Sequence, residues 1–324
     1  MTITKRTLGR SNLQAPAVSI GAWALGGTTN GQPNGYAGGD PLESQRALYW
    51  AAEQGADFID TADAYGAGAS ERALAPVLRD FPGIKVATKV GNSFDEATGQ
   101  ATGPNLDPDY IRGALQASLR RLGREVIDVY QLHTFDLTDA KVDEIVGLFE
   151  EFVAAGLIRW YGVSNDKPDQ IRRFALGEHC TVAQIQLNVF DDNPAALAAC
   201  SESGLGAICR SPLAMGLLGG RYSAENPIRL DDIRGTQPDW LKWFDAGVPT
   251  AEYWDRLQAI RALLTTGGRT LAQGALGWIL ARSSFAVPLA GFTTQAQMED
   301  NFHAGQMGPL DLATFAAVEE ALGR

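Results

Sequence analysis

The chain has 324 residues, of which 45% are hydrophobic and 20% charged, the proportions of an ordinary globular protein. That length suits one large α/β barrel or two smaller domains. A net charge of −11, from 27 basic and 38 acidic residues, repels phosphate backbones and anionic membranes, yet it leaves room for a phosphorylated cofactor in a local pocket.

The elements follow a regular order. The opening KRTLGRSNLQAPAV alternates around a Gly-Arg-Ser-Asn turn and predicts a hairpin closing the bottom of a barrel. VSIGAW, from Val18, reads as the first strand, ESQRALYWAAEQG as a helix and DFID as the second strand. SERALAPVLRD, IKVATKV, PDYIRGALQASLRRLG and VIDVYQLH continue the alternation. So do AKVDEIVGLFEEFVAAG, IRWYGVS, PDQIRRFALGE and VAQIQLN. AALAACSESG, GAICRSP, two further helical stretches (EYWDRLQAIRALLTTG and LAQGALGWILARS) and FAVPLAG complete it. Eight strand candidates, mostly separated by helices, predict a closed (β/α)8 TIM barrel with all of 1–324 in one domain.

Punctuation supports these cuts. Asp107-Pro108 and Asp166-Lys167-Pro168 look like helix starts with proline in the first turn. Gly55, Gly123, Gly156 and Gly204 look like helix stops. Two long stretches break the rhythm on what should be the catalytic rim: 26–41, rich in Gly, Asn and Pro, and 221–249, whose Trp240, Trp243 and Phe244 predict a folded cover.

The cysteines Cys180, Cys200 and Cys209 form no CxxC pair, so buried thiols in a reducing compartment are expected. The first residues lack an apolar signal-peptide core and no run approaches the roughly 18 apolar residues of a membrane span, which points to a cytoplasmic protein. The three histidines, His133, His179 and His303, are too scattered for a metal site.

The most informative pattern is polar. Asp60 ends the second predicted strand, Lys89 the third and His133 the fourth, and Tyr65 lies just past the second. Singly, these are a turn cap, a snorkelling lysine, a core histidine and a loop tyrosine. Jointly they place an acid, a phenol, an amine and an imidazole on the rim that does chemistry in such folds. A phenol has a pKa of about 10, and a neighbouring ammonium held by a carboxylate should stabilise its ionised form. With histidine beside it to bond a carbonyl, the phenol can protonate a developing alkoxide, which completes a hydride transfer.

FIDTADAYG, the strand-end Lys89, His133 in YQLH, and YGVSN resemble the aldo-keto reductases, and the resemblance runs through essentially the whole chain to PLAGFTTQAQMEDN. It implies a (β/α)8 barrel binding an extended nicotinamide dinucleotide without a Rossmann domain. Tyr65 would be the general acid, Lys89 and Asp60 its tuning pair, and His133 the residue that orients the carbonyl. Ser164, Asn165 and Gln184 would hold the nicotinamide carboxamide. Arg210 stands where the family commonly has an aromatic stacked on that ring. Ser211, Leu213, Gly216 and Leu217 would wrap the pyrophosphate, with Arg221 adding charge. Gly291, Thr293 and Gln297 fall where the 2′-phosphate of NADP(H) is bound in relatives, but here without a cation, so NAD(H) is a live alternative to NADP(H). Asp300 and Asn301 match adenine-contacting positions. No GxGxxG follows a strand with an acidic residue about 20 positions on, in keeping with that reading. Gly66 and Gly68 instead shape the turn after Tyr65.

The substrate is the least encoded feature. Trp23 with Trp240, Trp243 and Phe244 predicts a pocket for a small aldehyde or ketone that is apolar, ring-bearing or a sugar. The competing classes are a cofactor-binding sensor subunit with little turnover and a lyase using Lys89 as a Schiff base. The intact Asp60, Tyr65, Lys89 and His133 argue against both.

Overall fold

The structure is a computed structural model. It describes residues 3–324 apart from 30, 31, 34, 35, 37, 38, 135, 136, 237 and 239, so parts of the two long rim stretches lie outside the described residues. Eight parallel strands close into a barrel in chain order: β1 (Ser19–Gly21), β2 (Phe58–Asp60), β3 (Lys85–Val90), β4 (Ile127–Leu132), β5 (Ile158–Ser164), β6 (Cys180–Gln186), β7 (Gly206–Arg210) and β8 (Ala286–Gly291). The predicted strands and their order match.

The barrel interior is built in layers, because alternate residues of a strand face the same side. Phe58, Ala87, Val129, Val182 and Ile208 form one apolar cluster with Leu8, Leu13 and Ala15. The last three belong to the N-terminal hairpin, Lys5–Thr7 paired antiparallel with Gln14–Pro16, which plugs the bottom as expected. Two residues further along the same five strands stand Asp60, Lys89, Gln131, Gln184 and Arg210. The apolar floor therefore gives way, one pleat higher, to a polar layer.

The helices read as cut. Asp107 caps the helix Pro108–Leu122 through its carboxylate, Pro108 opens it, and Ile111, Leu115 and Leu119 turn one stripe to the barrel. Gly123 ends it at φ 64°, and Gly55, Gly156 and Gly204 take φ of 88°, 71° and 66°, the left-handed region that glycine enters without a Cβ clash. In the Asp-Lys-Pro start, Lys167 rather than Asp166 is the cap residue of the helix Pro168–Phe174. Asp166 is committed elsewhere.

The pattern did not reveal a small hairpin after β3, Asn92–Phe94 with Ala101–Pro104, or a last helix, Leu312–Ala321. That helix stacks Phe315 on Trp278, and its Glu319 accepts the Trp278 indole N–H at 3.0 Å. All three cysteines are buried and free. Among the described residues, no helix is long and apolar enough to cross a membrane.

The described residues of 221–249 fold as a cover in which Ile228, Leu241, Trp243 and Phe244 are buried. Phe244, expected in the pocket wall, instead lies in the short pairing Phe244–Asp245 with Val248–Pro249 and packs edge-on against Tyr222 at 5.9 Å. Its ring holds the cover together rather than facing the cavity.

The plug turn has almost no room. Gly9 takes φ 54°, and a Cβ there would be driven into the Thr181 carbonyl oxygen. Gly9→Ala should cost about 2 kcal/mol of unfolding free energy, read as a lower denaturant midpoint at unchanged slope. An equally stable variant would show that the turn tolerates a side chain.

Candidate active site

Lys89 is fully buried, and its ammonium uses three acceptors. It donates to Asp60 Oδ1 at 2.5 Å, to the Thr61 carbonyl at 2.7 Å and to the Tyr65 phenol oxygen at 3.3 Å. The other Asp60 oxygen accepts Nε2 of Gln131 and of Gln184, each at 2.9 Å. Four strands thus converge on one buried ion pair. Gln131 went unremarked in the sequence, although it lies two residues before His133 on the inward alternation.

Tyr65 sits on the turn after β2, where Gly66 (φ 61°) lies so close to Gly26 that a Cβ would strike its backbone. The Tyr65 and His133 rings meet nearly perpendicular, 6.0 Å between centroids. Burial raises the Tyr65 pKa, and Lys89 pulls it down without winning, so it stays above the ordinary phenol value. Lys89 favours the ionised phenol as expected, but the site is too dry for the ammonium to outweigh desolvation. For Lys89 the balance is the other way: burial lowers its pKa, but Asp60 and Tyr65 outweigh that and leave it raised. Burial, then the charges of Lys89 and Arg210, push His133 down to about 3, so its imidazole is neutral.

These groups open on a cavity of about 870 Å³, near the upper end of the range for small-molecule clefts. Asp60, Tyr65, His133, Gln184, Trp23, Trp240 and Trp243 line it, as do Arg210, Ser211, Leu213, Gly216 and Arg221. Gly291, Thr293, Gln297, Asp300 and Asn301 line its other end. The structure therefore brings most of the expected residues to one space.

Five do not line it: Lys89 lies fully buried behind Asp60 and Tyr65, and four others are placed elsewhere. Phe244 has been described, and Leu217 is buried in the core. Asn165 donates to the Thr134 carbonyl and Gln170 Oε1 and accepts Lys167 N–H, because its amide is spent on bracing the turn after β5. Ser164 is buried in the polar layer, its hydroxyl without a partner among the described residues.

Other assignments are refined. Arg210 is ion-paired with Asp166, whose Oδ1 also accepts Gln186 N–H at 2.7 Å and the Asn193 amide at 3.1 Å. The sequence carries no signal for that anchor. Thr293 donates both its N–H (2.7 Å) and its hydroxyl (3.0 Å) to Gln297 Oε1, so the Gln297 amide nitrogen is the better donor to a ligand. Asp300 accepts Thr270 Oγ1 at 2.9 Å and Gln273 Nε2 at 2.8 Å, and Asn301 donates to the Gly291 carbonyl at 3.0 Å. Among the described residues, no group of His, Cys, Asp or Glu is arranged to hold a metal ion.

The residues suit an elongated, polar ligand. Ser164 Oγ, His133 Nδ1 and Trp243 Nε1 are buried with no partner among the described residues, and orphans of this kind are costly unless something fills them. The turn after β7 also takes positive φ at Ser211, Ala214, Met215 and Gly216, a strained path of the kind found where backbone must approach a ligand.

An eight-stranded barrel with this polar rim is the frame of a barrel oxidoreductase. The aldo/keto reductase family model matches residues 17–322, and the chain belongs to that family. It is 29% identical to "Aldo-keto reductase yakc [NADP(+)]" of Schizosaccharomyces pombe, across 99% of this chain and 92% of the relative. It is 27% identical to an "NADH-specific methylglyoxal reductase" of Escherichia coli, across 99% of each. Among solved structures it resembles the holo form of aldo-keto reductase AKR11C1 from Bacillus halodurans, with a TM-score of 0.79 and 28% identity over 99% of this chain and 96% of that one.

The neutral His133 has a stability consequence. The unfolded chain binds a proton there below about pH 6.5, whereas the folded chain does so only near 3. The contribution is complete above about pH 6.5 and is lost as the pH falls towards 3. Between pH 6.5 and 4.5, His133→Gln should lose about 2 kcal/mol less stability than the wild type, measured by denaturant titration. Parallel pH curves would mean that the imidazole is not held neutral.

Proposed function

We propose that the protein reduces an aldehyde or ketone to an alcohol using a reduced nicotinamide cofactor, with Tyr65 as the proton donor. The observation that carries this is the phenol oxygen of Tyr65, 3.3 Å from a buried ammonium and facing the cavity beside a neutral imidazole. When bound, such a cofactor would supply the hydride.

The chain's own groups handle the oxygen. The Lys89 ammonium donates to the phenol oxygen, which leaves the phenol proton free to point into the cavity. As negative charge grows on the carbonyl oxygen, Tyr65 releases that proton to it, and Lys89 stabilises the phenolate left behind. Asp60 keeps Lys89 charged and in place. An unpaired lone pair at the buried His133 Nδ1 costs less than an unpaired N–H there, which puts the ring proton on Nε2, available to the carbonyl. Schiff-base chemistry at Lys89 is disfavoured, since its three protons have acceptors and its pKa is raised.

For the cofactor, Gln184 keeps its carbonyl oxygen for a carboxamide while its nitrogen is held by Asp60. Ser164 lies beside it in register, its buried hydroxyl unpartnered among the described residues. Ser211, Leu213 and Gly216 present backbone along the strained turn, and Arg221 supplies charge. Trp23 packs 6.1 Å from Tyr65 and 5.9 Å from Trp240, centroid to centroid, which makes an aromatic wall suited to an apolar or ring-bearing carbonyl compound.

Tyr65→Phe should lower kcat by at least about a hundredfold and leave cofactor dissociation constants nearly unchanged, measured by NADPH absorbance decay and fluorescence quenching. Near wild-type turnover on a panel of carbonyls would rule Tyr65 out as the acid.

Cofactor choice rests on the Thr293–Gln297 pair, which offers a 2′-phosphate a neutral donor, the Gln297 amide nitrogen, and no cation, and on the carboxylates of Asp40, Glu43 and Asp300, which line the same cavity. NADPH should be used with only a modest preference over NADH. Thr293→Arg should tighten NADPH about tenfold, because a charge-assisted bond is roughly twice as strong as a neutral one, with NADH little affected. Equal effects on both, or none, would place Thr293 away from the 2′ position.

A further inference from the structure

Arg234 lies in the cover, far along the chain from every strand-end residue discussed above, and is only 5% exposed. Its Nε and Nη2 bond the two oxygens of Asp232, each at 2.7 Å, and its Nη1 donates to the Met215 carbonyl at 3.0 Å. The guanidinium stands 4.0 Å from the Tyr36 ring centroid and 5.0 Å from that of Tyr222. One side chain thus joins three separate segments: the loop after β1 through Tyr36, the turn after β7 through Met215, and the cover through Tyr222 and Asp232. Tyr36, Met215, Tyr222, Asp232 and Arg234 all line the cavity.

Its hold on Met215 matters because of the conformation there. Ala214, Met215 and Gly216 run consecutively at φ 47°, 56° and 97°. For residues with a Cβ this path is unfavourable and persists only where the surroundings impose it. The Tyr36 hydroxyl also reaches Met215 Sδ, at 3.8 Å, and a Cβ on Gly216 would lie 3.2 Å from Arg234 Nη1. A buried guanidinium needs its charge and N–H donors satisfied, so the carboxylate, the carbonyl and the two rings favour one closed arrangement of the three segments.

We propose that Arg234 is a positioning residue for the dinucleotide: it clasps the strained 211–216 turn to the cover, pre-shapes the cavity wall for the cofactor, and must let go for the cofactor to leave. This rests on the reading that the cavity binds a nicotinamide dinucleotide. The clasp acts through backbone shape, so it governs affinity and exchange rate for NADPH and NADH alike, unlike a residue at the 2′ position.

The test compares wild type with Arg234→Lys, Arg234→Met and Tyr36→Leu. Dissociation constants for NADPH and NADH come from fluorescence quenching and dissociation rates from stopped-flow displacement, with denaturant midpoints alongside. Arg234→Met should weaken both cofactors by about tenfold or more and speed their release. Arg234→Lys should fall between it and wild type, since the ammonium keeps the charge but not the fork or the stacking plane. Tyr36→Leu leaves the ion pair intact, so it still reports on the clasp if Arg234→Met does not fold, and it too should speed release. Folded variants with wild-type affinities and release rates would overturn the clasp alone. Failure of the wild type to bind either cofactor would remove the reading beneath it as well.

Discussion

The site is organised around the need to keep one ammonium charged out of water. Lys89 is fully buried, and an ion in that position is tolerable only if its partner is close and the remaining lone pairs and protons are satisfied. Asp60 supplies the charge, Thr61 and Tyr65 take the other two protons, and Gln131 and Gln184 occupy the carboxylate's second oxygen. These groups come from β2, β3, β4, β6 and the turn after β2, so the pair exists only in the closed barrel. The Tyr65 phenol inherits its position from this arrangement.

The barrel delivers the groups by a simple geometric rule. With a period of two, each inward apolar residue on the floor is followed by an inward polar one: Phe58 by Asp60, Ala87 by Lys89, Val129 by Gln131, Val182 by Gln184. The apolar layer and the hairpin plug keep water from below, and the loops above shape the cavity. The dryness that makes the ion pair demanding also keeps His133 neutral and Tyr65 protonated, the forms in which each can donate a hydrogen bond to a carbonyl.

Much of this was legible in the chain. Short β-branched runs between amphipathic stretches, with proline at helix starts and glycine at helix stops, fix the element order, because local backbone preferences and burial periodicity act over a few residues. The strand-end positions of Asp60, Lys89 and His133 follow directly from that order. The last helix and the hairpin after β3 lacked such signals: the helix packs through Phe315 and Glu319 on Trp278, contacts set by distant residues.

What the sequence by itself determined is therefore the barrel, its polar rim and the family to which the chain belongs, since all three depend on residue types at short, regular spacings. The tertiary structure alone decided the balance of burial against charge that raises the Tyr65 pKa, the retention of Asn165 by its own turn, and the burial of Phe244 and Leu217. It also decided the pairing of Arg210 with Asp166 and the gathering of three loops around Arg234. Each of these turns on how far a side chain sits from water or from a residue tens of positions away, and neither distance is written in local pattern.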